Sequence, residues 1–411
     1  MKTRNRWFFV WIGVIVLFFA GMVYAWSILS SPIAREFPDW SMAGLSLTFT
    51  IVMILFCIGC MAGGFLSKKL SQKYYLWISA VLFLAGFIIS ANAYTFLTLY
   101  LGFGVICGFA SGFSYNAVMG TVGKWFPDKQ GLISGILLMG FGISSFLIGK
   151  LYQALTPEAI GAWRQSFTVL GIITAIALAV CGFFLEKPGD SFQPPAAKSQ
   201  KKRYVNPVSI EAETLVMLKK PSFWLYYIWA IMLSAAGLAL VSQASGIARE
   251  VGTNVSAGTI ATVVGLISIF NGIGRVIFGG LFDKLGRSAI MQSVNIAFIL
   301  AGLVLITALK TGSFAVLILG FIIGGFAYGG VTPTNSAFIS SYYGIKNYSM
   351  NFSVINTNLI IASFGSAIAG ALYDASRSYM STYLMIGILA VLGIILSLGI
   401  NISDRRTLNR G

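Results

Sequence analysis

One full charge stands deep inside an apolar stretch of this sequence: Arg275, in the run from 258 to 281. The acidic residues all fall at the ends of such runs or between them: Glu36, Asp39, Asp128, Glu158, Glu186, Asp190, Glu211, Glu213, Glu250, Asp283, Asp374 and Asp404. Histidine is absent. A mid-helix arginine in lipid costs about 2.5 to 3.5 kcal/mol on insertion scales, so its retention argues for a partner. Asp283 lies eight residues further on, roughly 12 Å at helical rise, and cannot pair with it directly along one helix. An anion from outside the chain can fill that role, because a planar guanidinium offers parallel donors that suit a carboxylate and that lysine does not reproduce. The alternative is an arginine bonded to backbone carbonyls or snorkelling to the interface. Asn271 precedes Arg275 by four residues and shares its helix face, where it can orient the guanidinium, donate to a ligand hydroxyl, or serve as glue between helices. Gly265, Gly272 and Gly279 recur at every seventh position, which predicts a close helix contact beside this polar face.

The elements that hold these residues are membrane spans. The chain has 411 residues, 57% of them hydrophobic and 10% charged, which excludes an ordinary water-soluble surface. Apolar runs long enough to cross a hydrocarbon core lie near 7 to 31, 43 to 66, 75 to 93, 95 to 121, 132 to 153, 163 to 185, 222 to 248, 258 to 281, 288 to 309, 313 to 340, 347 to 373 and 379 to 402. They lack the dyad alternation of a β-barrel, so helices are expected. The first run is too long for a signal peptide and lacks a small-residue cleavage site, so it is expected to be retained.

The net charge of +16 invites a nucleic-acid reading, but its distribution points to a membrane. With the N-terminus inside, the outer side keeps only Arg35, Lys150, Arg164, Arg249, Lys310 and Arg377 of the 28 Lys and Arg, and all the others except Arg275 fall inside. By the positive-inside rule both termini are expected to be cytoplasmic. Cys57, Cys60, Cys107 and Cys181 fall within the runs and are expected to pack as small apolar groups. The Cys57/Cys60 spacing has neither a second pair nor a histidine to complete a metal site. No cofactor, metal or nucleic-acid partner is expected.

Residues 186–221 interrupt the pattern with Pro188, Gly189, Asp190, Pro194, Pro195 and the basic cluster Lys198 to Arg203, and read as a cytoplasmic linker. The linker divides the chain into a bundle of six helices at 1–185 and another at 222–402, followed by a tail at 403–411. The two bundles repeat each other at an offset of 214 to 217 residues. IARE at 33–36 recurs at 247–250, GGFLSKKL at 63–70 falls over GGLFDKLG at 279–286, and WFPDKQG at 125–131 falls over YYGIKNY at 342–348. Six spans per half give both halves one orientation, so a pseudo-twofold axis along the membrane normal is expected, with any solute site between the halves near the midplane.

The loop GGLFDKLGR at 279–287 resembles the signature loop of the major facilitator superfamily, carried here by Gly279, Gly280, Asp283, Lys284, Gly286 and Arg287. The first-half copy departs from it, with Ser67 where the second half has Asp283. More narrowly, YAWSILSSP at 24–32, KWFPDKQGLISG at 124–135, Asn271 to Arg275 and PTNSAFISSYYGIKNYS at 333–349 resemble the oxalate/formate antiporter and bacterial monocarboxylate group of that superfamily. The resemblance implies an all-α fold of twelve transmembrane helices in two bundles, a monomer in the inner membrane, and secondary transport of a small carboxylate by alternating access, coupled to a proton or to a counter-anion. It also implies that Tyr24, Tyr115 and Tyr328 enclose the anion and that Leu29 forms an apolar wall. The oxalate carriers of the group have a second cation shortly after the NY motif, whereas here Ile355 takes that place and Asn356 follows it. One buried cation neutralises one carboxylate, so a monocarboxylate of the lactate, pyruvate, glycolate or formate type is favoured, and oxalate/formate exchange stays open as the alternative. No loop except the linker could hold a further domain, and no nucleophile, metal cluster or phosphate cradle suggests an enzyme.

Overall fold

The computed structural model describes residues 5–157, 159–189, 192, 206–252 and 255–409. Glu158, Asp190, Pro194, Pro195 and the cluster Lys198 to Arg203 lie outside the described residues. Among the described residues the chain is helical with no strand. The spans are α1 (Arg6–Glu36), α2 (Met42–Leu66), α3 (Gln72–Ala91), α4 (Phe96–Trp125), α5 (Gln130–Leu155), α6 (Trp163–Gly182) and α7 (Pro221–Val251). They continue with the long stretch Ala257–Thr311, then α10 (Phe314–Tyr343), α11 (Tyr348–Ser376) and α12 (Met380–Leu408). The long stretch breaks at Gly286, whose φ of 78° and ψ of −179° suit only glycine, and so forms α8 (257–285) and α9 (287–311). Among the described residues eleven helices are long and apolar enough to cross a membrane, and with that break counted they give twelve spans, the number expected from the sequence.

Three spans are less regular than their apolar runs suggest. Within α1 the backbone tightens to a 3₁₀ turn over Gly21–Ala25, and a side chain on Gly21 would collide with the Phe141 carbonyl of α5. In α4 the turns widen to π type over Tyr100–Cys107, a feature that often marks functional segments. Span α11 is assembled from three pieces, Tyr348–Asn356, Asn358–Ala362 and Phe364–Ser376. Short polar side chains start several helices by accepting an otherwise unpaired amide: Ser41 from Gly44 at 3.1 Å, Ser256 from Thr259 at 3.2 Å and Ser313 from Val316 at 3.4 Å.

The described residues separate into two compact units. The first holds those of Met1–Pro127, Gly140–Pro195 and Phe352–Val354, and the second those of Asp128–Met139, Ala196–Asn351 and Ile355–Gly411. In the first unit Phe167 meets Phe87, Phe103, Tyr152 and Trp163 in an aromatic core. In the second, Tyr226 stacks on Phe338 at 3.7 Å and donates to Asn335 Oδ1, while Trp229 donates to Asn295 Oδ1, so the polar ends of buried rings are satisfied.

The IARE repeat has the same task in both units. In the first, Glu36 accepts from Trp163 Nε1 at 2.5 Å and from Arg164 at 2.8 Å, tying the end of α1 to the start of α6. In the second, Glu250 accepts the Tyr379 N–H at 3.0 Å, tying the end of α7 to the start of α12.

Candidate functional site

In the second unit Arg275 is 8% exposed and Asn271 6% exposed, and the i,i+4 spacing brings them together as expected: Arg275 Nε donates to Asn271 Oδ1 at 2.8 Å. The same guanidinium donates through NH1 to the Leu138 carbonyl of α5 at 2.6 Å. That second bond is the backbone alternative weighed above, and it coexists with the orienting role of Asn271. The helix crossing that allows it depends on small residues, since a Cβ on Gly135 would run into the Arg275 carbonyl. On the other side of α8, Gly274 lies against the Phe326 carbonyl and Gly329 against the Asn271 carbonyl, so α8 and α10 approach closely. Of the three glycines expected at a close contact, Gly279 makes one, against Gly131 of α5, while the approach to α10 is carried by Gly274, outside the seven-residue series of Gly265, Gly272 and Gly279. Tyr328 is buried on α10, covers Gly237 of α7, and lies within electrostatic reach of Arg275. Asn356 and Ile355 are both buried on α11 in the same unit.

In the first unit Tyr24 and Tyr115 come together through a residue that the sequence did not single out. Phe141 of α5 lies 5.3 Å from the Tyr24 ring and 5.4 Å from the Tyr115 ring. Phe56 and Phe352 complete the packing of Tyr115, the latter stacked at 5.7 Å. Leu29 is fully buried, and its carbonyl accepts from the Tyr152 hydroxyl. Next to Tyr115, Asn116 donates to Ser353 at 2.8 Å and Ser353 donates to the Cys60 carbonyl at 2.7 Å, a polar chain that spacing alone did not reveal. The four cysteines are buried free thiols, and among the described residues no group of metal-ligating side chains occurs.

The loop that carries the family resemblance has a defined geometry. Asp283 accepts the Gly131 N–H at 2.8 Å and the Leu132 N–H at 2.9 Å, so one carboxylate covers two orphan amides where α5 begins and complements its positive end. Gly279 and Gly131 cross so closely that a Cβ on either would strike the other's carbonyl. Gly280 is half-buried and faces Leu132, and Lys284 is exposed. Arg287 is 2% exposed; it donates to the Tyr342 hydroxyl at 2.8 Å and to Asn401, and it pairs with Asp404 at 3.3 Å. The Tyr342 hydroxyl in turn donates to Asp404 at 2.5 Å.

The family model of the Major Facilitator Superfamily matches residues 10–357, and matches again over 238–409. The chain belongs to the major facilitator superfamily. It is a multi-pass membrane transporter and not an enzyme. It is similar to the oxalate:formate antiporter of Oxalobacter formigenes, 27% identical over 89% of this chain and 85% of that one. It is also similar to the uncharacterised MFS-type transporter YhjX of Escherichia coli K12, at 26% over 88% and 86%. Human monocarboxylate transporter 11 is 35% identical over a shorter stretch, 32% of this chain and 28% of its own. Among solved structures the fold is similar to that of the proton:xylose symporter XylE, with a TM-score of 0.68 at 13% identity, covering 96% of both chains. The Escherichia coli fucose:proton symporter FucP follows with a TM-score of 0.64 at 14% identity, covering 97% of this chain and 99% of that one. These two likenesses bear on the fold alone.

Proposed function

We propose that this transporter carries small monocarboxylates of the lactate, pyruvate, glycolate or formate type across the inner membrane by alternating access. The observation that supports this most is Arg275, 8% exposed within a membrane span and held at Nε by Asn271. A guanidinium has five donors in one plane, so a carboxylate can be taken while the Asn271 bond is kept. On this reading the carboxylate competes with the Leu138 carbonyl for the NH1 side of Arg275. On the same reading Tyr24, Tyr115 and Tyr328 serve as ring contacts for the anion, Leu29 as an apolar contact and Asn356 as an uncharged polar one. With Ile355 in place of a second cation, a dianion would leave one carboxylate buried without a counter-charge. Both termini and the linker face the cytoplasm, in line with the Lys and Arg distribution, and the carrier works as a monomer.

A second reading, exchange of oxalate for formate, has in its favour the similarity to the oxalate:formate antiporter over 89% of the chain. Proteoliposome uptake from a panel of labelled carboxylates tests both. Saturable lactate or formate uptake that follows an imposed pH gradient supports monocarboxylate and proton symport. Uptake that requires a loaded counter-anion, with oxalate as the strongest competitor, supports exchange and sinks the first reading.

A further inference from the structure

The repeat pairs Ser67 with Asp283, yet the two side chains act differently. Asp283 grips two consecutive amides where α5 begins. Ser67 turns its hydroxyl back onto the Gly64 carbonyl of its own helix, at 2.7 Å. Where WFPDKQG at 125–131 falls over YYGIKNY at 342–348, Gly131, in the first turn of α5, is matched by Tyr348, the first residue of α11. Around that second helix start a carboxylate is present, and it comes from the linker. Glu211 accepts the Ile345 N–H through Oε1 and the Lys346 N–H through Oε2, both at 3.2 Å.

The linker is laid down to present it. The amides of Ile210 and Ala212 donate to the Tyr342 and Tyr343 carbonyls at 3.0 and 3.1 Å, satisfying acceptors that the end of α10 leaves open. In extended backbone the residue between them points the opposite way, which turns Glu211 toward the next turn. The Ala212 carbonyl accepts from Asn347 at 3.3 Å and from Asn351 at 3.1 Å, and Thr214 donates to Asn351 at 2.8 Å. Gly344 completes the fit: its φ of 75° and ψ of −176° exclude other residues, and a Cβ there would strike the Glu211 carboxylate.

We infer that Glu211 is a positioning residue for transport: a linker carboxylate that sets the turn from α10 into α11, in the place of the acid that the first-half signature loop lacks. Span α11 carries Ile355 and Asn356, so a fixed lead-in turn fixes the register in which they are presented, and the linker becomes a working part of the carrier rather than a tether.

The test uses the full-length protein in lipid nanodiscs and proteoliposomes. Amide hydrogen exchange is followed over residues 344–351, and initial uptake rates are measured for whichever of labelled oxalate, formate and L-lactate the wild type carries fastest. For E211A we expect exchange at 345 and 346 to rise about tenfold and the maximal rate to fall about tenfold at unchanged KM, the scale of one to two net hydrogen bonds. E211Q, which keeps one acceptor, should lie between, and the nearby E213A should change neither. G344A, which crowds an intact carboxylate, should reproduce E211A. Unchanged exchange in E211A and G344A overturns the grip itself. Raised exchange at an unchanged maximal rate reduces Glu211 to a structural tie and overturns the positioning role. The exchange readout does not depend on which anion is carried, so it stands apart from the monocarboxylate reading.

Discussion

Of the residues proposed to meet the anion, the first unit supplies two rings and an apolar side chain, and the second supplies the charge and two amides together with one ring. Tyr24 and Tyr115 are joined by Phe141, Phe56 and Phe352 back Tyr115, and Leu29 is buried in the same unit. Arg275, Asn271 and Asn356 lie in the other unit, as does Tyr328, buried on α10. On the proposed reading the first unit contributes mainly shape and the second mainly charge. Charge changes should therefore act on rate and on the identity of the solute, and ring changes mainly on how tightly it is enclosed.

The largest effect is expected from Arg275→Lys. It keeps the charge and loses both the fork and the Asn271 bond, so transport should fall roughly 100-fold in protein that is inserted and folded, as for one or two lost charge-assisted bonds. Near wild-type uptake by Arg275→Ala would remove charge from the comparison altogether. Asn271→Ala leaves the guanidinium in place but unsteered, and initial rates should drop about tenfold. A loss equal to that of Arg275→Ala would make Asn271 an obligatory part of coupling.

A third variant moves charge to where the chain lacks it. Ile355 and Asn356 are both buried, and lysine at either position adds on α11 a second cation to that of Arg275 on α8. Competition by oxalate against a labelled monocarboxylate should then strengthen by roughly fivefold, because a dianion relieves a repulsion that a monoanion leaves standing. Unchanged competition in both folded variants would take away the main support for monocarboxylate selectivity. The smallest effect belongs to the rings. Phe141→Leu removes the surface shared by Tyr24 and Tyr115 and should raise KM about threefold with little change in maximal rate, the scale of one aromatic pair. A selective loss of maximal rate would show that the first unit takes part in more than enclosure.

How much of this could be read in advance follows from the range of each interaction. The twelve spans are written in long apolar runs, and the Arg275–Asn271 bond follows from a spacing of four residues on one helix. Asp283 stood out because its Gly-rich loop repeats. Its acceptance of the Gly131 and Leu132 amides was not legible, since those residues are about 150 positions away and offer only backbone. Leu138 was hidden for the same reason: a carbonyl has no letter in a sequence. Phe141 is one of 32 phenylalanines and nothing in its spacing separates it from lipid-facing neighbours. The three-piece form of α11 was masked because its polar Asn and Ser residues sit within an otherwise continuous run. Glu211 looked like one more charge in a polar linker.

The pairing of Arg287 with Asp404 has a practical consequence for handling the protein. Helix α12 runs on to Leu408, and Asn401 and Asp404 lie on its last turns, where both engage a guanidinium that is 2% exposed. A version cut after residue 402, at the point where the apolar run ends, would keep every membrane span and still remove the carboxylate that balances this charge. Stranding one member of a buried pair costs about 3 to 5 kcal/mol, so a short trim of that kind should behave as a core mutation and shorten the life of the purified carrier. Purification handles are better joined beyond Asn409, with the turn that carries Asp404 left intact.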